Sequence, residues 1–314
     1  MRIVFMGTPA FAVPSLEALL QSEETVVGVV TQPDKPKGRG QTMATSPIKQ
    51  LAEKAGVPIL QPSKMKDPPF LDALRAWQPD LLAVTAFGRI LPPVILDLPP
   101  KGCVNVHGSL LPKYRGAGPI QWAIINGEDE TGITTMLMDA GMDTGAMLLQ
   151  ERVPIDPDDT AGSLSEKLAK VGGPLLIETI RRMKAGTLTP QPQDHSQATM
   201  APLLEKEMGQ IDWTSSGTEI ANRVRGLAPW PGAFTHAGQE RWMIWKARVL
   251  ADPTTAEPGT AVAVTKEAIH IATGRGLLAI IELQPANSRR MTVQHYLAGH
   301  RLTSGFRLHS ISQP

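Results

Sequence analysis

The chain has 314 residues, a length that suits two domains, and its 42% hydrophobic and 19% charged residues are ordinary for a globular protein. A formal net charge of +1 excludes a uniformly basic nucleic-acid coat, and a lone cysteine, Cys103, excludes an intrachain disulfide framework or a multi-cysteine metal site. No apolar run approaches the ~20 residues that cross a bilayer, and MRIVFMGT enters a strand pattern without signal-peptide features, so the expected location is cytoplasmic.

RIVFM is a short apolar run, and GTPAFAVPSLEALL reads as a glycine turn followed by an amphipathic helix. This is how a doubly wound α/β domain with a mostly parallel sheet begins. Gly7-Thr-Pro-Ala lacks the spaced glycines of a dinucleotide site, and no phosphate-loop string occurs. TVVGVV, from Thr25 to Val30, is a continuous apolar strand of the kind buried on both faces of a parallel sheet. Next, TQPDKPKGRG sets Lys35, Lys37 and Arg39 among prolines and glycines, which predicts a basic loop without regular structure at the active-site edge of the sheet. A solvated surface loop accounts for the same composition. A helix is predicted over Ser46 to Ala55, a short strand at PIL, a helix at FLDALRAW, and a buried strand at LLAVTAF with GRILPP turning off its end.

The stretch from Cys103 to Gln150 concentrates polar chemistry. Val104 and Val106 alternate with Asn105 and His107, so a strand here turns an amide and an imidazole to one side. After the turn-rich SLLPKYRGAGP and an apolar segment, ITTMLMD reads as a strand leading into the glycine-flanked loop AGMDTG, which can return Asp143 to the same place. Such a trio suits carbonyl transfer to an amine: the amide stabilises an oxyanion, the imidazole moves a proton, and the carboxylate fixes its tautomer. Taken singly, each residue also suits a structural role in a strand end, turn or loop cap. Cys103, one residue before this strand pattern, reads as a buried small side chain.

GAMLLQERVPI is strand-like, and Thr160 to Lys184 reads as a long helix, with Gly172-Gly173-Pro174 as an interruption. Residues 1–186 thus form a first domain. The polar, proline-rich and aperiodic stretch 187–206 reads as a linker. Residues 207–314 carry short runs separated by Gly, Pro or Asp, the pattern of a small antiparallel β-barrel. Net charge from Glu207 onward is +3, against −2 before it, which is compatible with a nucleic-acid partner. In this second domain Trp242, Trp245, Lys246 and Arg248 mingle aromatic and basic side chains, as core positions or as a nucleic-acid face.

NVHGSLLPKYRGAGPI, followed by ETGIT and DAGMDTG, resembles the core signature of the folate-dependent formyltransferases. The likeness extends from MRIVFMGTPAFAVPSLEALL through IDW, WPGAF, WKA and LQPANSRRM, and points to the branch that acts on tRNA. The resemblance implies Asn105, His107 and Asp143 as catalytic residues, with 10-formyltetrahydrofolate as formyl donor and no metal. It places the folate against Arg89, Ile90 and Leu91 and against Ser109, Leu110, Leu111 and Pro112. The acceptor it implies is the α-amine of methionine on initiator methionyl-tRNA. Lys35, Lys37 and Arg39 would reach the acceptor stem, while Lys246, Arg248, Arg289 and Arg290 would track tRNA along an oligonucleotide-binding-like (OB-like) barrel. Formyltransferases acting on sugar nucleotides, formyl-folate hydrolases and a non-catalytic RNA-binding protein on the same scaffold are the competing readings.

Overall fold

A computed structural model describes residues 1–37 and 42–310. The chain divides into two compact units, one of Met1–Pro119, Glu130–Pro154 and Ser165–Pro202, the other of Ile120–Asp129, Ile155–Leu164 and Leu203–Pro314. The first is a mixed α/β unit built on a mostly parallel, Rossmann-like sheet. The second carries a separate antiparallel sheet.

In the first unit the strands are β1 (Arg2–Gly7), β2 (Thr25–Val30), β3 (Lys35–Lys37), β4 (Thr42–Ala44), β5 (Ile59–Leu60), β6 (Leu81–Thr85), β7 (Cys103–His107), β8 (Glu130–Leu137) and β9 (Met147–Pro154). Among the described residues all of these but β3 and β4 form one main sheet in the order β5-β2-β1-β6-β7-β8-β9, parallel through β7 and antiparallel at β7/β8 and β8/β9. A strand covered on both faces needs apolar residues at successive positions, and Ile3 to Met6 and Leu81 to Val84 supply them, all buried. β2 lies on one side of β1 and β6 on the other, so chain order switches there, where α/β sheets open a crevice at the carboxyl edge. The Thr8 hydroxyl and the Gln32 amide both donate to the carbonyl of Phe87, at 3.3 and 2.9 Å, tying together the loops that leave these strands.

Two local expectations change. The basic stretch after β2 is not wholly irregular: β3 and β4 pair antiparallel, Lys35 opposite Ala44 and Pro36 opposite Met43. A two-stranded ribbon is all edge, so a proline fits without removing a donor from an interior ladder. At its base, the Asp34 carboxylate accepts from Lys49 Nζ at 2.6 Å and from the Gln61 amide nitrogen at 2.8 Å. The helix Ala161–Ala185, most of which belongs to the first unit, runs unbroken through Gly172-Gly173-Pro174. A side chain at Gly172 would meet Val106 Cγ1 at 3.1 Å, and one at Gly173 would meet the Pro14 carbonyl at 2.6 Å. These glycines let the helix lie close against its neighbours instead of ending it.

In the second unit, β10 (Ala233–Ala237), β11 (Glu240–Leu250), β12 (Ala261–Val264), β13 (Ile269–Ala272), β14 (Leu277–Pro285), β15 (Met291–Thr292) and β16 (Leu308–His309) make a curled antiparallel sheet in the order β12-β13-β14-β11-β10-β16, with β15 on β14. Backbone bonds from Leu308 N–H to Gly259 O and from Ala261 N–H to Phe306 O, each 2.8 Å, join the two ends of that order. The helix Gly217–Gly226 starts on a capping box of Ser216 and Glu219 and turns Ile220 and Val224 into a core with Trp242, Ile244, Ile271 and Ile280.

Candidate active site

Asn105 and His107 lie two positions apart on β7, whose period of two sends both side chains to one face. His107 is 5% exposed. Its Nε2 lies 2.9 Å from the Tyr114 carbonyl, and because a carbonyl only accepts, Nε2 carries the hydrogen. Nδ1 is then left facing the Asp143 carboxylate, with Nδ1 to Oδ2 at 3.7 Å. That distance is an ion-pair approach and not a direct hydrogen bond. The tautomer is therefore set by Tyr114, whereas sequence reasoning assigns that task to the carboxylate. Oδ2 of Asp143 accepts instead from the Gly116 N–H at 2.9 Å. Among the described residues no hydrogen bond occupies the half-buried Asn105 amide, which is free to meet a ligand.

The loop carrying Asp143 is shaped by its own sequence. Asp139 Oδ1 accepts from the Gly141 N–H at 3.0 Å and from the Thr144 hydroxyl at 2.6 Å. A side chain at Gly145 would collide with the Leu137 carbonyl. Asp143 itself has φ of 52°, the left-handed region that aspartate tolerates better than most residues.

Ser109 to Pro112 leave the end of β7 as a pinned turn. The Ser109 hydroxyl donates to the Lys113 carbonyl at 2.6 Å. Thr134, buried on β8, donates to the Ser109 carbonyl at 2.7 Å and accepts from the Leu111 N–H at 3.1 Å, while the Gln150 amide donates to the Leu111 carbonyl at 2.9 Å. Thr134 and Gln150 are support residues that sequence reasoning passes over, since one hydroxyl and one amide within strands leave no periodic signal. Leu110 finds room because Gly132, opposite it, has no side chain.

At the end of β6, Ala86 and Gly88 both adopt positive φ, which turns the chain sharply. Ile90 is 81% exposed there, Leu91 is buried among Phe87 and Ile95, and the Arg89 guanidinium donates to the Ser63 carbonyl at 2.6 Å. Cys103 is buried, with Sγ 3.8 Å from the carbonyls of Ile95 and Leu96. Burial, with Asp97 adding to it, pushes the thiol up to about 12.

Of the cations singled out as nucleic-acid contacts, Lys35 is exposed on β3. Arg39 lies outside the described residues, as does the side chain of Lys37. On the second unit Lys246, Arg248 and Arg289 are exposed and make no ion pair among the described residues. Arg290 differs: its Nε donates to Glu282 at 2.6 Å and its guanidinium lies 5.4 Å from the Trp245 ring. Trp242 belongs to the core. The same unit has a cavity of about 440 Å³ lined by Lys206, Trp230, Arg241, Met243, Gln284 and Asn287. Trp230 is 51% exposed, and the Arg241 guanidinium stacks 3.7 Å from the Phe234 ring. In the sequence this Trp-Pro-Gly enters only as part of the WPGAF string that carries the family likeness.

The family model described as Formyl transferase matches residues 1–180, and that described as Formyl transferase, C-terminal domain, matches residues 203–301. The chain is 51% identical over 302 residues to a methionyl-tRNA formyltransferase of Desulfotalea psychrophila, covering 96% of this chain and 94% of that protein. It is 52% identical over 306 residues to a methionyl-tRNA formyltransferase of Acetivibrio thermocellus, covering 97% and 98%. Among solved structures, the sugar 3N-formyl transferase WlaRD, in the presence of dTDP and 5-N-formyl-THF, aligns with a TM-score of 0.68 at 19% identity over 92% of this chain and 99% of that one. HypX from Aquifex aeolicus in complex with tetrahydrofolic acid aligns with a TM-score of 0.62 at 18% identity over 95% of this chain and 47% of that one. At such identities the structural likeness shows the fold alone.

Proposed function

This chain belongs to the formyl transferase family, and from that premise we propose that it formylates the α-amine of methionine carried on tRNA, drawing the formyl group from a folate. The observation that carries this reading is identity of about half the residues, sustained over nearly the whole of both chains, with methionyl-tRNA formyltransferases. We take the donor to be 10-formyltetrahydrofolate, the acceptor to be the initiator species and the setting to be the cytoplasm.

The residues at the carboxyl edge of the first sheet fit such a donor. Ile90 offers exposed apolar surface for an aromatic ring, the pinned Ser109–Pro112 turn offers fixed backbone, and the Asn105 amide has an open donor. When bound, the folate supplies a formyl carbon attached to nitrogen. As the methionyl amine attacks that carbon, the Asn105 amide donates to the formyl oxygen, where negative charge develops. His107 Nδ1 accepts the proton that the amine loses and returns one to the departing nitrogen. Asp143, 3.7 Å away, is the counter-ion for the imidazolium that forms between those events. The cations and the Trp230 cavity of the second unit suit a polynucleotide, with the curled sheet, closed by its end-to-end backbone bonds, acting as an OB-like barrel.

Purified protein is expected to formylate charged initiator methionyl-tRNA with 10-formyltetrahydrofolate, and to leave free methionine and amino-sugar nucleotides unmodified. Preference for an amino sugar would overturn the reading. His107→Ala should lower kcat by ~100-fold or more while the protein stays folded, the usual contribution of general acid–base catalysis. Near-normal turnover in that variant removes His107 from the mechanism.

A further inference from the structure

The Asp143 loop, with Asp143 itself at φ of 52°, holds a backbone that side-chain-bearing residues adopt at a cost, and the groups that hold it extend beyond the loop. Gln193, 6% exposed, donates from one amide nitrogen to two carbonyls of that loop, Asp143 O at 2.8 Å and Gly145 O at 2.7 Å. Its oxygen faces the other way and accepts two bonds from Arg115, from Nε at 3.0 Å and from a terminal nitrogen at 2.7 Å. Arg115 is itself buried, 6% exposed, and its terminal nitrogen also meets His195 Nδ1 at 3.1 Å.

A guanidinium has donors only, and the loop presents acceptors only, so the amide between them has one admissible orientation. Neither a carboxylate nor an inverted amide satisfies both sides. Arg115 is in turn clamped through its backbone, its N–H donating to Thr199 O at 2.9 Å and its carbonyl accepting from Ala201 N–H at 2.7 Å. Arg115 also precedes Gly116, the residue whose N–H holds the Asp143 carboxylate. Both ends of Asp143, backbone and side chain, are therefore fixed from the 115–116 and 193–201 strips.

We propose that Gln193, oriented by Arg115, is a positioning residue for the reaction: it holds the Asp143 loop so that the carboxylate stays opposite His107 Nδ1. Gln193 lies in residues 181–202, between the two family matches. The inference rests on the proposed role of Asp143 and adds to it a residue that acts through the Asp143 loop.

Gln193→Glu is the diagnostic substitution. It keeps nearly the same shape and the pairing with Arg115, but it withdraws both donors from the loop and sets an anion against two carbonyls. With the full-length protein, 10-formyltetrahydrofolate and charged initiator methionyl-tRNA, kcat should fall by ~10- to 100-fold, the scale of an ångström-sized misplacement, with KM for either substrate changed by less than about twofold. A general loss of structure would not distinguish this site from others, so the deciding measurement is a double-mutant cycle. In an Asp143→Asn background, which keeps a residue tolerant of positive φ, Gln193→Glu should cost less than about twofold more. Multiplicative losses in the cycle, a loss confined to KM, or unchanged kcat in Gln193→Glu each overturn the proposal. If Gln193→Glu does not fold, Arg115→Lys, which keeps the charge but gives up the forked contact with Gln193, runs through the same cycle with the same criterion. Near-normal turnover in Asp143→Asn alone is a different result: it brings down the catalytic reading of Asp143 itself.

Discussion

At the scale of single residues, Cys103 and His107 bound the same strand and show opposite chemical fates. Cys103 faces carbonyls from within the core, and its thiol, pushed up to about 12, stays protonated at pH 8. A thiol reagent at pH 8 should therefore modify the native protein far more slowly than the urea-unfolded chain; rapid titration of one thiol in the native state would contradict the burial. His107 is equally enclosed but has one ring nitrogen committed to Tyr114 and the other left for chemistry. In the sequence, polar residues that break an apolar strand and a glycine-flanked loop further on only allow His107 and Asp143 to meet; the resemblance of the whole string to the formyltransferase signature is what pairs them. The Arg115–Gln193 contact is not legible. Arg115 is one cation in a turn-rich string and Gln193 one amide in a polar stretch, and a hydrogen bond between distant side chains imposes no period on either.

At the scale of elements, apolar runs such as Leu81 to Val84 declare themselves, since burial on both faces demands an unbroken hydrophobic string. The helix Ala161–Ala185 is read less well, because glycine and proline favour breaks in isolation while here tertiary packing overrides that preference. Gly173→Ala tests this. Alanine favours the helix by about 1 kcal/mol, but a methyl 2.6 Å from the Pro14 carbonyl meets backbone that cannot swing aside. Overpacking of that kind costs about 1–3 kcal/mol, so the melting temperature should fall. An unchanged or raised value would mean that the helix is not seated so closely. The ribbon β3/β4 escapes sequence reading for the reverse reason: its composition is that of a loop, and only pairing makes it a strand pair. The Lys49 ammonium, followed by the Gln61 amide, holds the Asp34 carboxyl below the usual carboxylate range. The contacts of the Asp34 carboxylate with Lys49 and Gln61 are thus at full strength at neutral pH and weaken as the solution is acidified through that lowered range.

At the scale of the whole molecule, a net charge of +1 conceals local cations that differ in availability. Arg289 is exposed and carries no ion pair among the described residues, whereas Arg290 is engaged by Glu282 and Trp245. If both face tRNA, Arg289→Ala should reduce the slope of log affinity against log salt by up to about 0.9, the release of one counter-ion, and Arg290→Ala by less. Equal slopes for wild type and Arg289→Ala would remove Arg289 from the tRNA path.

The allocation of residues between the two units has a practical corollary. Ile120–Asp129 and Ile155–Leu164 belong with Leu203–Pro314, and Gly226 is a glycine because Ile125 and the Gln121 carbonyl crowd it. Splitting the gene near codon 203 would therefore strand two buried patches on the wrong polypeptide. Anyone grafting the C-terminal module onto another enzyme would have to carry three stretches of chain together, so recombination by simple tail exchange is closed to this architecture.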